Sequence, residues 1–405
     1  MSTFNASGGA LTAYIGSYGA HPGADGGGIY QLRLCAHGTE LLVAGRTPSP
    51  VEAGYLVYAA DTRTLYAVDE RKTDGRGPVA PPAAVHAMRV DPVNGALSAL
   101  NWQPAPGPRP TFLSYCAERR LLFTANHGDF QHVEKVVRNP DGSWMTRYEY
   151  DDSTVVVYGL GTDGRLEGIE DILVLAGHGT DPNGSAQNGG HAQASPHAHS
   201  AVIDPSGRYL LVCDKGTDRV YVYTAQARPS LVSVCQFEPQ TAPRHLAFSS
   251  STRAYMTLEL SSEVVTLAFD GQRGQLEVMA RCTTVAEGFS GLNEPAEIRV
   301  HPNGGFVYVN NRGEDTLSWF EVLSDGVLRR AGAVRLARSL HPGVAARSFA
   351  FAPCGEFMLV ADRPAHQVRS YAVSPTSGGL ALLAEVNIPD PAYIEFVHLP
   401  SAGEQ

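Results

Sequence analysis

Short apolar runs of about five residues alternate along this chain with polar turns of about four, and helical periodicity is hard to find in any window. Six segments align on this pattern without a gap. They are GYLVYAADTRTLYAVDE from Gly54, TFLSYCAERRLLFTANH from Thr111, HSAVIDPSGRYLLVCDK from His199, RHLAFSSSTRAYMTLEL from Arg244, AEIRVHPNGGFVYVNNR from Ala296 and RSFAFAPCGEFMLVADR from Arg347. Each has an apolar run, a polar turn and a second run rich in Val, Leu, Tyr and Phe, which predicts a β-hairpin. A third strand usually follows, as in TVVVYGL from Thr154, RVYVYTA from Arg219 and TLSWFEV from Thr316. Successive units start roughly 45 to 57 residues apart, except for one interval of about 88 between Thr111 and His199. A repeat of this length with three or four strands per unit predicts a β-propeller. TAYIGSYG, GIYQLRL and ELLVAGR near the start, with AYIEFVHL from Ala392, supply one more unit closed by strands from both ends. The expectation is an all-β fold, a single seven-bladed β-propeller domain over residues 1–405.

In a blade the innermost strand crosses the disc and the second strand returns. The start of the first and the end of the second therefore share one face, beside the axial channel. Two columns of residues are expected at that mouth. The first holds Gly54, Thr111, His199, Arg244, Ala296 and Arg347. The second spans two positions per blade: Asp69-Glu70, Asn126-His127, Asp214-Lys215, Glu259-Leu260, Asn311-Arg312 and Asp362-Arg363. Such a concentration of ionisable groups marks this mouth as the functional one. Two insertions fall on the same face, at about 128–153 and 177–196. The first, with Trp144, Tyr148 and Tyr150, is expected to be partly ordered, and the second, rich in Gly, Asn and Ala, to form a mobile rim.

Composition adds exclusions more than assignments. The 405 residues carry a net charge of −10 with no run of Lys or Arg, so nucleic acid is not an expected partner. No window approaches 18 apolar residues, so no membrane span is expected, and the N-terminus lacks the basic and apolar regions of a signal peptide. The six scattered cysteines include no CxxC pair and read as reduced thiols, which makes the cytoplasm the expected compartment. His178, His191, His197 and His199 match no compact zinc pattern, Gly26-Gly27-Gly28 opens no helix, and no GxSxG elbow occurs. Neither metal nor cofactor is expected.

The pieces AYIGSYG, GGGIYQL, PHAHSAVIDPSGRYLLVCDKGTDRVYVY, APRHLAF, AEIRVHPNGGFVYVNNRG and VNIPDPAYIEF resemble the seven-bladed propeller lactonase family, which includes bacterial 6-phosphogluconolactonases and the fungal carboxy-cis,cis-muconate cyclase. The resemblance covers nearly the whole chain. It implies a metal-free acid–base site at the mouth, with its histidine at His199, its arginines at Arg244 and Arg312 and its glutamate at Glu259. Leu258 stands before Glu259 where relatives often carry Asn.

Opening a lactone needs an activated water, a donor for the oxyanion and a cation for the substrate's anionic group. His199 and Glu259 are the candidates for base and acid, and Arg244 and Arg312 suit oxyanion or anion binding. Arg347 is a third anion contact. His197, His245 and Glu297 complete the substrate-binding candidates, although strand alternation would turn His197 and His245 away from the mouth. The structural alternatives are a strand-to-strand hydrogen bond for His199, an ion pair with Arg244 for Glu259 and a blade-to-blade ion pair for Glu297. The Asp/Asn column is expected to cap inter-blade turns. Three functions fit: hydrolysis of a small anionic lactone, lactonising cycloisomerisation of an unsaturated diacid, and a binding scaffold without catalysis.

Overall fold

The computed structural model describes residues 11–19, 26–35, 37–72, 83–185, 190–340 and 343–399. Parts of the expected N-terminal and rim features, residues 1–10 and 186–189, lie outside them. Seven four-stranded antiparallel sheets form the blades. Their inner strands touch in succession and close into a ring. Blade 1 takes its inner strand, Pro391–His398, from the C-terminal end and its three others, beginning with Leu11–Ser17, from the N-terminal end. Blades 2 to 7 have inner strands starting at Leu56, Pro110, Ala198, Pro243, Glu294 and Ser348.

The burial pattern follows from this stacking. Second strands lie between neighbouring blades and are covered on both faces, so Thr64–Asp69, Leu121–Asn126 and Phe357–Asp362 are buried at every position. Such strands read as continuous apolar runs, whereas outer strands such as Leu97–Pro104 are partly exposed. Tyrosines on second strands lock blades together at the face opposite the mouth. Tyr14, Tyr66, Tyr255 and Tyr308 donate to the carbonyls of Gly95, Gly164, Gly326 and Gly378 in outer hairpins of the next blade, at 2.6 to 3.0 Å. All four acceptor glycines have positive φ, between 68° and 82°.

The 128–153 insertion forms an ordered two-stranded hairpin, His132–Arg138 with Trp144–Tyr150, between the second and third strands of blade 3. Its base is tied to the mouth by ion pairs, Lys72 Nζ to Asp151 at 2.5 Å and Arg109 Nη2 to Asp129 at 3.5 Å.

Candidate active site

A local irregularity at the start of the inner strands builds the channel wall. In blade 3 the ladder passes from Pro110–Asn126 to Phe112–Ala125, leaving Thr111 as an extra residue. His199 is extra between Ala198 and Ser200. Arg244 and His245 fall in the break between Pro243 and Leu246, and Ala296 and Glu297 in that between Pro295 and Ile298. A β-bulge leaves its residues out of the ladder and re-aims their side chains. Two residues occupy the break in blade 5, so strict alternation fails there. Arg244 and His245 both line the axial cavity, and the expectation that His245 turns away is corrected.

A second bulge in blade 5, which leaves Ser249 as an extra residue between Phe248 and Ser250, shifts the second column by one residue. Leu258 pairs with Pro243 as Asp214 pairs with Ala198, which makes Glu259 the counterpart of Lys215 rather than of Asp214. With that register, each blade contributes the residue immediately after its capping position to one ring. These are Tyr18 from blade 1 and Glu70, His127, Lys215, Glu259, Arg312 and Arg363 from blades 2 to 7. All seven line a mouth cavity of about 700 Å³. The Asp and Asn residues before them do cap turns, whereas blade 5 has the apolar Leu258 at that place. Asp69 accepts from the Glu52 N–H at 3.2 Å, Asp214 from the His197 N–H at 2.6 Å, and Asn311 donates to the Thr284 carbonyl at 2.9 Å.

One side of the ring is a knot of charge around Glu259. Lys215 Nζ contacts Glu259 Oε1, while Arg244 Nε and Arg312 Nη2 each lie 2.7 Å from Oε2. Arg312 also reaches Glu294 at 3.0 Å. The Arg244 contact is coulombic, because its Nε lacks hydrogen-bond alignment and both Nε and Nη1 are buried without a hydrogen-bond partner. Burial would raise the Glu259 pKa, but Lys215, Arg312 and Arg244 hold it well below the usual carboxylate range. Glu259 is therefore a permanent anion that fixes three cations, and this environment does not suit the acid role expected of it. Lys215 and Arg312 keep donors over: among the described residues Lys215 Nζ has no partner besides Glu259, and Arg312 Nη1 has none.

His199 stands beside this knot. Its Nδ1 is 3.1 Å from His245 Nε2, and its ring meets the edge of His127 with centroids 5.4 Å apart. Burial, then Arg244, His245 and Lys215, push its pKa well below the ordinary value, so the imidazole is neutral. His245 in turn has Nδ1 3.6 Å from Glu297 Oε1, and Glu297 is 3.7 Å from Arg299 Nε. His245 is lowered to about 4, chiefly by burial and Arg244, while Arg299 and His245 outweigh burial to keep Glu297 ionised. His245 Nδ1 makes no hydrogen bond, and a proton there would face that carboxylate and make Nε2 an acceptor. The His199 proton would then sit on Nδ1, leaving Nε2 as the basic nitrogen.

Of the sequence-derived candidates, His199, Arg312, Glu259 and Arg347 line the mouth, while Arg244, His245 and Glu297 line the narrower chamber beneath it, which His199 and Arg347 also reach. His197 does not line the cavity. The inner-strand ladder begins only at Ala198, and His197 Nδ1 points back to the His127 carbonyl at 2.9 Å while its ring stacks on His127 at 4.5 Å. Sequence reasoning passed over Tyr18, Glu70, His127 and Lys215 as site residues. The signal that finds them is their common place directly after the capping column, once the register of blade 5 is known. The rim adds Arg71, Lys72 and Arg109, and the insertion supplies Phe130 as an apolar wall.

Seven blades around a charged axial cavity define a β-propeller with a site for a small polar molecule at one end. The chain belongs to the seven-bladed β-propeller lactonase family, whose profile matches residues 12–396. It is 27% identical over 395 residues to the 6-phosphogluconolactonase of Bacillus subtilis, covering 96% of this chain and 99% of that one. Among solved structures, the periplasmic gluconolactonase of Pseudomonas aeruginosa superposes with a TM-score of 0.78 at 28% identity, covering 96% and 100% of the two chains. A protein from Lactobacillus plantarum superposes with a TM-score of 0.79 at 27% identity, covering 96% and 99%. Among the described residues no helix is long and apolar enough to cross a membrane.

Proposed function

We propose that the mouth hydrolyses a small anionic lactone of the 6-phosphogluconolactone type. The observation that carries this reading is a neutral His199, hydrogen-bonded to His245, beside donors of Lys215 and Arg312 inside a cavity of sugar-lactone size. His199 Nε2 takes a proton from water as the water oxygen adds to the lactone carbonyl. Lys215 and Arg312 stabilise the oxyanion, and Glu259 keeps both in place without reorganisation. Arg71, Lys72 and Arg109 at the rim, with Arg347 and Arg363 across the ring, bind the substrate's anionic tail. Basic side chains outnumber acidic ones on this wall although the whole chain carries −10, which focuses anions into the cavity. The six cysteines form no disulfide, which fits a reducing compartment, and we place the reaction in the cytoplasm.

Steady-state hydrolysis of 6-phosphogluconolactone, glucono-δ-lactone and a carboxylated muconolactone, by wild type and by Lys72→Ala/Arg109→Ala, tests the reading. The phosphorylated lactone is expected to be the best substrate. The double variant should raise its KM about tenfold while leaving the neutral lactone's KM within twofold. No turnover of any lactone, or net ring closure of a carboxy-cis,cis-muconate supplied in a parallel assay, would replace hydrolysis with another function.

A further inference from the structure

Across the ring from the Glu259 knot, blades 7, 1 and 2 bring together a second ionisable group that water activation by His199 leaves unused. Tyr18 Oη donates to Glu70 Oε2 at 2.6 Å, and Arg347 Nη2 donates to the same oxygen at 3.0 Å. The guanidinium carbons of Arg347 and Arg363 lie 4.8 and 4.5 Å from the centre of the Tyr18 ring, which holds the phenol in place. Glu70 Oε1 has no partner among the described residues, and the side chain is 10% exposed, so its free oxygen opens on the cavity.

The position is built into the fold. Gly54 occupies the place in blade 2 that His199 holds in blade 4, and a Cβ there would fall 2.0 Å from Glu70 Oε2 and 2.9 Å from Tyr18 Oη. The missing side chain is the space the carboxyl fills. Glu70 lines both the mouth and the lower chamber, as His199 does. Burial pushes its pKa up to about 7, against the pull of Arg109, Arg363 and Arg244 and with a small addition from Glu52.

We propose that Glu70 is the second proton-transfer group of the site, the acid that protonates the ring oxygen as the lactone opens. The proposal rests on the lactonase reading. Water gives a proton to His199 Nε2 and its oxygen bonds to the carbonyl carbon. The bond from that carbon to the ring oxygen then breaks, its electron pair stays on oxygen, and the Glu70 proton neutralises the alkoxide. The proton held by His199 returns to the Glu70 carboxylate, so the net change is lactone plus water to hydroxy acid. Two groups with proton affinities pushed in opposite directions divide the base and acid roles.

Leaving-group dependence tests this. Glu70→Gln should slow kcat for the alkyl lactone 6-phosphogluconolactone, whose leaving oxygen is a poor alkoxide, by about 100-fold or more. It should slow an aryl lactone such as dihydrocoumarin, whose phenolate leaves unaided, by less than about fivefold. The alkaline limb of the wild-type kcat profile near pH 7 should vanish in the variant. Gly54→Ala keeps the carboxyl but displaces it, and should show the same selective loss should Glu70→Gln fold poorly. Equal losses on both lactones, or an unchanged alkaline limb, overturn the role of Glu70 while leaving the lactonase reading intact. Failure of wild type on both lactones overturns the lactonase reading itself.

Discussion

Replacing Glu259 by Gln removes the one negative charge that Lys215, Arg244 and Arg312 share. With charge centres about 4 Å apart and an effective dielectric of about 20, each attraction amounts to about 4 kcal/mol. The net cost is smaller than the sum, because Arg312 keeps Glu294 at 3.0 Å and buried Lys215, already pushed to a lower pKa, can shed its proton. Orphaning a buried ion's partner typically costs about 3–5 kcal/mol, and we take about 4. An unfolding entropy of about 2 cal/mol/K per residue gives this chain about 0.8 kcal/mol per degree, so Tm should fall by about 5 °C. Thermal unfolding followed by circular dichroism at pH 7.5 and low salt measures it. Inorganic phosphate, entering the uncompensated cluster, should recover more Tm in Glu259→Gln than in wild type. A Tm within 1 °C of wild type, or equal recovery by phosphate, would refute the picture of Glu259 as the fixed anion of the site.

Two further outcomes follow from the same geometry. Glu70 has a folded-state pKa of about 7 against an ordinary 4.5, so the stability linked to its neutral form is present below pH 4.5 and lost as pH rises through 7. Relative to pH 4.5, Glu70→Gln should therefore gain about 3 kcal/mol, or roughly 4 °C in Tm, over wild type by pH 8; a pH-independent difference would contradict the raised pKa. Because His245 touches His199 and Glu297 holds His245, Glu297→Gln should lower kcat by roughly tenfold with KM nearly unchanged. A change confined to KM would make Glu297 a binding residue instead.

The propeller and the mouth were legible in the sequence because both arise from local periodicity. Apolar runs of strand length, turns of fixed spacing and the capping Asp/Asn column repeat blade after blade, and the seventh blade was recoverable from the two ends. The site was legible only as far as the register held. Aligning blade 5 from Arg244 placed Glu259 opposite Asp214, because the extra bulge at Ser249 leaves no mark in the sequence. That single slip hid the ring in which Glu70, His127 and Lys215 stand level with Glu259. The character of Glu259 was hidden for a different reason. Its three cations come from Lys215, Arg244 and Arg312 on different blades, and a carboxylate's neighbours decide whether it is an acid or a fixed anion. Gly54 shows the same limit: it reads as an empty place in the column, and only the folded ring shows Glu70 and Tyr18 filling it.

Proton release in a pH-stat on adding 6-phosphogluconolactone, wild type beside His199→Ala, tests the central claim most directly. Wild type should release protons far above the spontaneous rate. His199→Ala, with its fold confirmed by circular dichroism, should fall by at least about 100-fold toward that background. A wild-type rate no faster than spontaneous hydrolysis, or a His199→Ala rate equal to wild type, would contradict the account.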